Sequence, residues 1–180
     1  GNMPERWVKM MKESLKVGIS QFSSHRMVKQ YSDNFYKPGI ERFDELVAQE
    51  SALGKALAQR KQYYKENLSR VKLTNLRSTE PIDKLHVGDN IEVLVDVELG
   101  AMTPEDVAVE VYYGTVDNWN NVLSSNTKAM RVKENLGNGK YCYAADVSCS
   151  KAGRFGLNAR VIPEGAEWKH CMPGFIVWGL

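Results

Sequence analysis

Two pairs of adjacent acidic residues are the plainest candidates for acid–base chemistry in this sequence. Asp44 and Glu45 are neighbours within a helical pattern, and Glu105 and Asp106 are neighbours directly after a proline. Paired catalytic carboxylates stand on opposite sides of the bond that reacts. Neighbouring acids in a helix or a turn do not predict that arrangement, so we interpret them as helix-surface and turn residues.

Sequence motifs of the common active sites are missing. The chain has no glycine-rich phosphate loop, no GxSxG nucleophile elbow and no HExxH zinc motif. No lysine lies in the apolar or glycine-rich surroundings that would indicate a Schiff base. His170 and Cys171 are adjacent soft ligands without a second pair nearby, which is more typical of ordinary residues than of a zinc site. We therefore predict no catalytic, cofactor-binding or metal-binding residue in this chain.

Two tryptophans remain as candidates for a ligand surface. Trp119 lies in the polar run Asp117–Asn121, and Trp168 lies between Glu167 and Lys169. An exposed indole ring can stack on the apolar face of a pyranose, so Trp119 and Trp168 are the candidate carbohydrate contacts. The competing interpretation, which we favour, is that these rings cover loop edges or a contact between domains.

Cysteine content and charge restrict the setting of the protein. Three cysteines without CxxC spacing predict neither a disulfide framework nor a zinc site, and they favour a reducing, cytoplasmic location. Residues 1–76 carry a net charge of +6 and residues 77–180 carry −4. Acids interrupt the basic half, so we predict a solvated helix surface and no nucleic-acid partner. No apolar run reaches the roughly 18 residues of a membrane span, so no membrane partner is expected.

The first 68 residues have helical periodicity. Trp7, Met11 and Leu15 recur at four-residue spacing, and either Ser23 or Ser24 can cap a second helix. A third periodic stretch covers residues 40–68, so about three helices are predicted. Their apolar faces are wide, which predicts that they pack on the following domain or on a domain outside this sequence.

From about residue 70 the hydrophobic period changes from 3.6 to 2. The Asn138-Gly139 pair is the strongest hairpin signal. About seven strands are predicted, near residues 71–76, 91–99, 107–113, 128–135, 141–147, 155–161 and 175–178. This pattern predicts an immunoglobulin-like antiparallel β-sandwich. The expected fold class is α+β, with a helical segment at residues 1–68 and the β-sandwich at residues 69–180.

Two groups of motifs resemble α-glucan phosphorylases. In the helical half the matching runs are Trp7-Val8-x-x-Met11-Lys12-x-Ser14, Gln21-Phe22-Ser23-Ser24-His25-Arg26-Met27-Val28-Lys29-Gln30-Tyr31 and Phe35-Tyr36-x-Pro38. In the second half they are Leu85-x-Val87-Gly88-Asp89, Val93-x-Val95-x-Val97-x-Leu99-Gly100, Thr103-Pro104-Glu105-Asp106-Val107 with Tyr112-Tyr113-Gly114, and Gly153-Arg154-Phe155-Gly156. Their ordered combination resembles the C-terminal region of bacterial and archaeal glycogen phosphorylases.

The resemblance implies a parent glycosyltransferase with two Rossmann-like lobes. Such enzymes cleave α-1,4-glucan with inorganic phosphate to give glucose 1-phosphate, using pyridoxal phosphate on a lysine. The family's lysine motif lies upstream of these helices and is not in this sequence, so the fragment is expected to hold no cofactor and to be inactive alone. The matched helices would close the catalytic fold, which makes the rest of the parent chain the expected partner.

Three functions stay open from the sequence. The leading hypothesis is a structural and docking role within the phosphorylase. A carbohydrate-binding module for glycogen-like glucans is favoured if Trp119 and Trp168 share one exposed face. A protein–protein interaction domain is favoured if the exposed patch is aliphatic or is the bare helical face around Trp7 and Tyr31, and a homodimer through such faces is a further alternative.

Overall fold

The computed structural model describes residues 4–80, 86–119, 122–149, 152–171 and 174–179. The chain divides into two compact units, residues 1–59 and residues 60–180. The prediction of a helical segment followed by antiparallel sheets is confirmed, and the sheets have four strands each. No helix among the described residues is long and apolar enough to cross a membrane.

The helices begin close to where the sequence pattern places them. Their bounds are α1, Glu5–Gln21; α2, Ser24–Tyr31; a π-helical turn, Ser32–Tyr36; and α3, Lys37–Asn67. The Ser23 side chain caps α2, because its oxygen accepts a hydrogen bond from the backbone N–H of Arg26. Arg26 in turn donates to the Gln30 side chain, one turn further along the same helix.

The third helix is interrupted. Residues Ala48–Ser51 leave the helical conformation, and Gln49, Glu50 and Ser51 have positive φ angles of 51°, 57° and 62°. Because glycine is a poor helix former, the sequence predicts a weak point or break at Gly54, but Gly54 itself is helical. A Cβ at Gly54 would lie 3.1 Å from the backbone oxygen of Leu46. The glycine therefore accommodates the close approach of the chain on the other side of the break.

Within the described residues, eight strands form the two sheets. They are β1, Lys72–Ser78; β2, Asn90–Glu98; β3, Val107–Val116; β4, Val122–Ala129; β5, Arg131–Gly137; β6, Lys140–Ser148; β7, Phe155–Pro163; and β8, Val177–Trp178. The first sheet has the order β1-β2-β6-β5 and the second has the order β4-β3-β7-β8, with every pair antiparallel. A short helix, α4, Ala166–Cys171, lies between β7 and β8 in the sequence.

The predicted alternation of the strands decides which side chains are buried. Ile91, Val93, Val95 and Val97 of β2 are each at most 2% exposed. The same alternation buries Val107, Val109 and Val111 of β3, and Ala159 and Val161 of β7. The β5–β6 hairpin has the predicted Asn138-Gly139 turn, with φ angles of 52° and 73° that suit a type I′ turn.

The prediction of one strand near residues 128–135 is wrong. The structure has two strands there, β4 in the second sheet and β5 in the first. Met130 separates them, is 7% exposed, and donates its backbone N–H to the Val109 oxygen at 2.8 Å. Met130 is a buried apolar residue between the two strands, so the hydrophobic pattern continues where the chain passes from one sheet to the other. The sequence therefore does not reveal the change of sheet.

Candidate functional site

Trp168 lies in α4, and its ring is enclosed. It is 3% exposed. Its ring centroid is 5.0 Å from that of Tyr64 and 5.8 Å from that of Phe175, with interplanar angles of 73° and 84°. These edge-to-face contacts are typical of packed aromatic clusters. Trp168 therefore has no open ring face for a sugar, and the condition that Trp119 and Trp168 share one exposed face is not met.

The partner of Trp168 in this cluster is Tyr64, at the end of α3. Tyr64 is fully buried, and its hydroxyl donates to the backbone oxygen of Asp106 at 2.7 Å. The same hydroxyl oxygen accepts from Nε of Arg60 at 3.0 Å. Burial raises the pKa of Tyr64, which keeps its hydroxyl protonated as a donor. We call Tyr63, Tyr64, Asp106, Trp168 and Phe175 the Tyr64 cluster.

The turn that receives this hydroxyl is closed by its own hydrogen bonds. The Asp106 carboxylate accepts from the backbone N–H of Thr103 at 2.9 Å and from the Thr103 hydroxyl at 3.1 Å. The Tyr63 hydroxyl donates to the same carboxylate oxygen at 3.2 Å. The interpretation of Glu105-Asp106 as a turn is confirmed, since Pro104–Asp106 forms one 3₁₀ turn before β3. Asp106 therefore stabilises this turn by accepting hydrogen bonds from Thr103 and Tyr63.

Trp119 lies after β3 and is the more exposed candidate. Its side chain is 81% exposed, and its backbone N–H donates to the Asp117 carboxylate at 2.8 Å. This local turn presents the indole ring to solvent. Of the two predicted carbohydrate contacts, only Trp119 is accessible.

A second aromatic surface was not singled out by the sequence pattern. Tyr112 of β3 and Trp178 of β8 pack edge to face, with centroids 5.3 Å apart at 84°. The Arg160 guanidinium lies 5.9 Å from the Tyr112 centroid and 5.5 Å from that of Trp178. Arg160 also donates twice to the Glu110 carboxylate, at 2.9 Å and 2.7 Å. The signal available in the sequence was the alternation itself, which places Glu110 and Tyr112 on one face of β3.

The described residues do not fit a cofactor or metal site. Pyridoxal phosphate needs a lysine within an enclosed pocket, whereas each lysine whose side chain is described is exposed. No group of three or more His, Cys, Asp and Glu residues in the described ranges could hold a metal ion. The side chains of His170 and Cys171 are not among those that the structure describes, although their backbone belongs to α4.

Replacing Tyr64 with phenylalanine tests the hydroxyl contact. Tyr64→Phe is expected to lower the free energy of unfolding by about 1–2 kcal/mol, because it leaves the Asp106 oxygen and Arg60 without their partner. Tyr143→Phe is the matched control, since the Tyr143 hydroxyl is buried without a hydrogen-bond partner among the described residues. That change should be neutral or slightly stabilising. Urea unfolding followed by circular dichroism measures both, and equal losses would contradict the assignment.

Removing each tryptophan separately distinguishes the enclosed ring from the exposed one. Trp168→Ala is expected to cost about 3–5 kcal/mol of unfolding free energy, because it empties an aromatic cluster. Trp119→Ala is expected to stay within about 0.5 kcal/mol, as exposed substitutions usually do. Thermal and urea unfolding of the two variants give the comparison. A Trp168→Ala protein as stable as the unsubstituted chain would show that the cluster does not form.

The sequence of this chain is similar to those of known proteins. Residues 69–179 match the family model described as glycogen phosphorylase C-terminal domain. Maltodextrin phosphorylase of Thermococcus litoralis is 35% identical over 113 residues, which cover 61% of this chain and 12% of that protein. Glycogen phosphorylase of Mycobacterium bovis is 25% identical over 162 residues, which cover 89% of this chain and 19% of that protein. The chain thus spans only 12–19% of the length of these curated relatives.

A solved structure of alkylpurine DNA glycosylase from Pseudomonas fluorescens, bound to DNA with an abasic site analog, also overlaps with this chain. The overlap covers 52% of this chain and 27% of that chain, with a TM-score of 0.35 and 16% identity. A similarity this low carries no argument. The phosphorylase match, by contrast, covers more than half of the chain, and the chain therefore belongs to the glycogen phosphorylase C-terminal domain family.

Proposed function

We propose that this chain is the non-catalytic C-terminal region of an α-glucan phosphorylase and that its helices complete the parent fold. The parent would convert α-1,4-glucan and inorganic phosphate into glucose 1-phosphate. Support for this activity comes from the names of the relatives, a maltodextrin phosphorylase and glycogen phosphorylases. Pyridoxal phosphate would be held by the rest of the parent chain, because the lysines described here do not fit it.

The observation that carries the proposal is the exposed apolar surface of the helical unit. None of the described residues 4–59 is buried. Trp7 is 58% exposed, Phe35 is 64% exposed and Phe43 is 61% exposed. Large apolar surfaces of this kind on a soluble protein mark a place where another surface packs. The helical unit is therefore an element that gains its core from a partner.

The amphipathic pattern of α1 favours the rest of the parent chain as that partner. Trp7, Met11 and Leu15 share one side of the helix, whereas Lys9 and Lys16 lie on the opposite side. A helix with one apolar and one charged side is typical of the outside of a larger fold. Relatives that are several times longer than this chain supply such a fold. A second copy of the chain is the alternative partner.

The strand-rich unit has a docking role in this proposal. Contacts of β1 with β7 and of β4 with β6 link the two sheets, which supports an immunoglobulin-like β-sandwich over residues 69–180. Such a sandwich would serve contacts within the parent enzyme or between its subunits. Cys142 and Cys149 are free thiols, which suits the reducing cytoplasm as the proposed location.

The isolated chain is expected to lack phosphorylase activity. With pyridoxal phosphate, inorganic phosphate and either glycogen or maltodextrin added, it should release no glucose 1-phosphate, because the lysines whose side chains the structure describes are exposed and do not fit the cofactor. A coupled assay for glucose 1-phosphate makes the measurement, with the full-length parent enzyme as the positive control. Turnover that persists through further purification of the chain would contradict the non-catalytic assignment.

Substitutions on the two sides of α1 test the docking of the helices. In the full-length parent, Trp7→Gln combined with Met11→Gln is expected to lower the thermal unfolding midpoint by several degrees, because two buried apolar contacts are lost. The control is Lys9→Gln combined with Lys16→Gln, which also introduces two glutamines but on the charged side of α1. This control should leave the midpoint of the parent nearly unchanged.

The same two double variants in the isolated chain complete the test. There the apolar side is already exposed, so both variants should match the unsubstituted chain in stability. A parent whose midpoint is insensitive to the Trp7 and Met11 changes would overturn the docking proposal. Sedimentation of the isolated chain as a dimer that these changes dissociate would assign the surface to a second copy instead.

A further inference from the structure

We propose that the outer face of the second sheet carries a binding groove for a short segment of α-1,4-glucan. The groove is a cavity of about 310 Å³ over β3, β7 and β8, and its lining includes Tyr112, Gly114, Gly156, Asn158 and Trp178. This volume lies at the lower end of the about 300–1,000 Å³ that ligand pockets occupy. The inference rests on the proposed function only for the choice of α-glucan as the ligand.

Two paired glycines form the floor of the groove. Gly114 of β3 lies opposite Gly156 of β7 in the antiparallel register. A Cβ on Gly114 would lie 1.7 Å from the Ser124 oxygen, and a Cβ on Gly156 would lie 2.9 Å from Cγ1 of Val116. Because Ser124 and Val116 occupy the space beside these glycines, larger side chains do not fit at either position, and the floor of the groove carries no side chain there.

Aromatic rings form one wall of the groove, and their orientation is held by charged neighbours. Trp178 is 41% exposed and rests against Tyr112 in an edge-to-face contact. The Arg160 guanidinium packs against both rings while Glu110 holds it in place through two hydrogen bonds. A partly exposed ring that is fixed in this way offers a flat apolar surface at little entropic cost. The apolar face of a pyranose has the matching shape.

Polar groups at the two ends of the groove suit sugar hydroxyls. Asn158 lines the cavity; its side-chain oxygen accepts from the backbone N–H of Ala159 at 2.7 Å, and its amide N–H groups are potential donors to a sugar hydroxyl. At the other end Arg154 lines the cavity and donates to the Asn118 backbone oxygen at 3.4 Å. Small-molecule sites usually combine an aromatic or apolar lining with a small number of polar groups.

The charges of the groove favour a neutral ligand over an anionic one. Arg160 is neutralised by Glu110, so it does not attract a phosphate or carboxylate from solution. Arg160 lies behind the aromatic wall and does not line the cavity, whereas Arg154 lines it and already donates to the protein backbone. Trp119 does not line the cavity, although its neighbour Asn118 contacts Arg154. The groove and Trp119 are therefore separate candidates for carbohydrate contact.

Fluorine NMR of the 180-residue chain labelled with 5-fluorotryptophan tests the groove by titrating the unsubstituted protein. The chain has four tryptophans, so single Trp→Phe variants assign four resonances. Maltoheptaose is titrated to about 20 mM, enough to occupy a site with a millimolar Kd. The Trp178 resonance should shift with saturation, while those of Trp7, Trp119 and Trp168 should not. An unmoved Trp178 resonance, or movement of Trp119 alone, would overturn the proposal.

Affinity electrophoresis in glycogen-containing gels gives an independent measurement with a matched control. Trp178→Ala is expected to weaken glycogen retardation about tenfold, whereas Trp119→Ala should leave it unchanged. Asn158→Ala is a second groove variant, with folding checked by thermal unfolding. Retardation that survives both groove variants, or that is lost with Trp119→Ala, would assign binding to another surface.

A β-linked oligosaccharide tests whether the groove prefers an α-glucan. Cellopentaose has the same sugar units as an α-glucan but a different chain shape, so it should shift the Trp178 resonance less than maltoheptaose does. Equal shifts would overturn the α-glucan assignment of the groove. The docking of the helices is measured by the stability of the parent enzyme without any sugar, so one proposal can fail while the other holds.

Discussion

A single buried tyrosine joins four elements of the strand-rich unit. The Tyr64 ring is fully enclosed, and its hydroxyl donates to the Asp106 backbone oxygen at 2.7 Å. Trp168 and Phe175 pack against the same ring, so the end of α3, the turn before β3, α4 and the segment leading to β8 meet at one side chain. Because β8 supplies Trp178, the wall of the proposed groove also relies on this cluster.

The two units obtain their stability in different ways. The strand-rich unit encloses valines from both sheets together with the Tyr64 cluster, so it has a core of its own. The described part of the helical unit buries no side chain, and α2 has only eight residues. Isolated helices shorter than about 12–15 residues are marginal in water. In the proposed function, the helices gain their core by packing on the rest of a phosphorylase. Such packing explains the wide apolar faces of the helices.

Local patterns predicted the features that depend on near neighbours in the chain. The alternation of β2, the Asn138-Gly139 turn and the Ser23 cap each follow from residues a few positions apart. The burial of Trp168 could not be predicted in this way, since its sequence neighbours are charged and its covering ring, Tyr64, is distant in the chain. The pairing of Gly114 with Gly156 likewise depends on the register between two strands that are far apart in sequence.

Hydrogen–deuterium exchange of the helices in two contexts tests the central claim most directly. The backbone amides of residues 5–47 would be compared between the isolated chain and the full-length parent enzyme. The docking account predicts fast exchange in the isolated chain and strong protection in the parent, because packing an apolar face suppresses local opening. The amides of β2 and β6 serve as an internal reference, with protection in both contexts. Equal exchange of residues 5–47 in the two proteins would contradict the account.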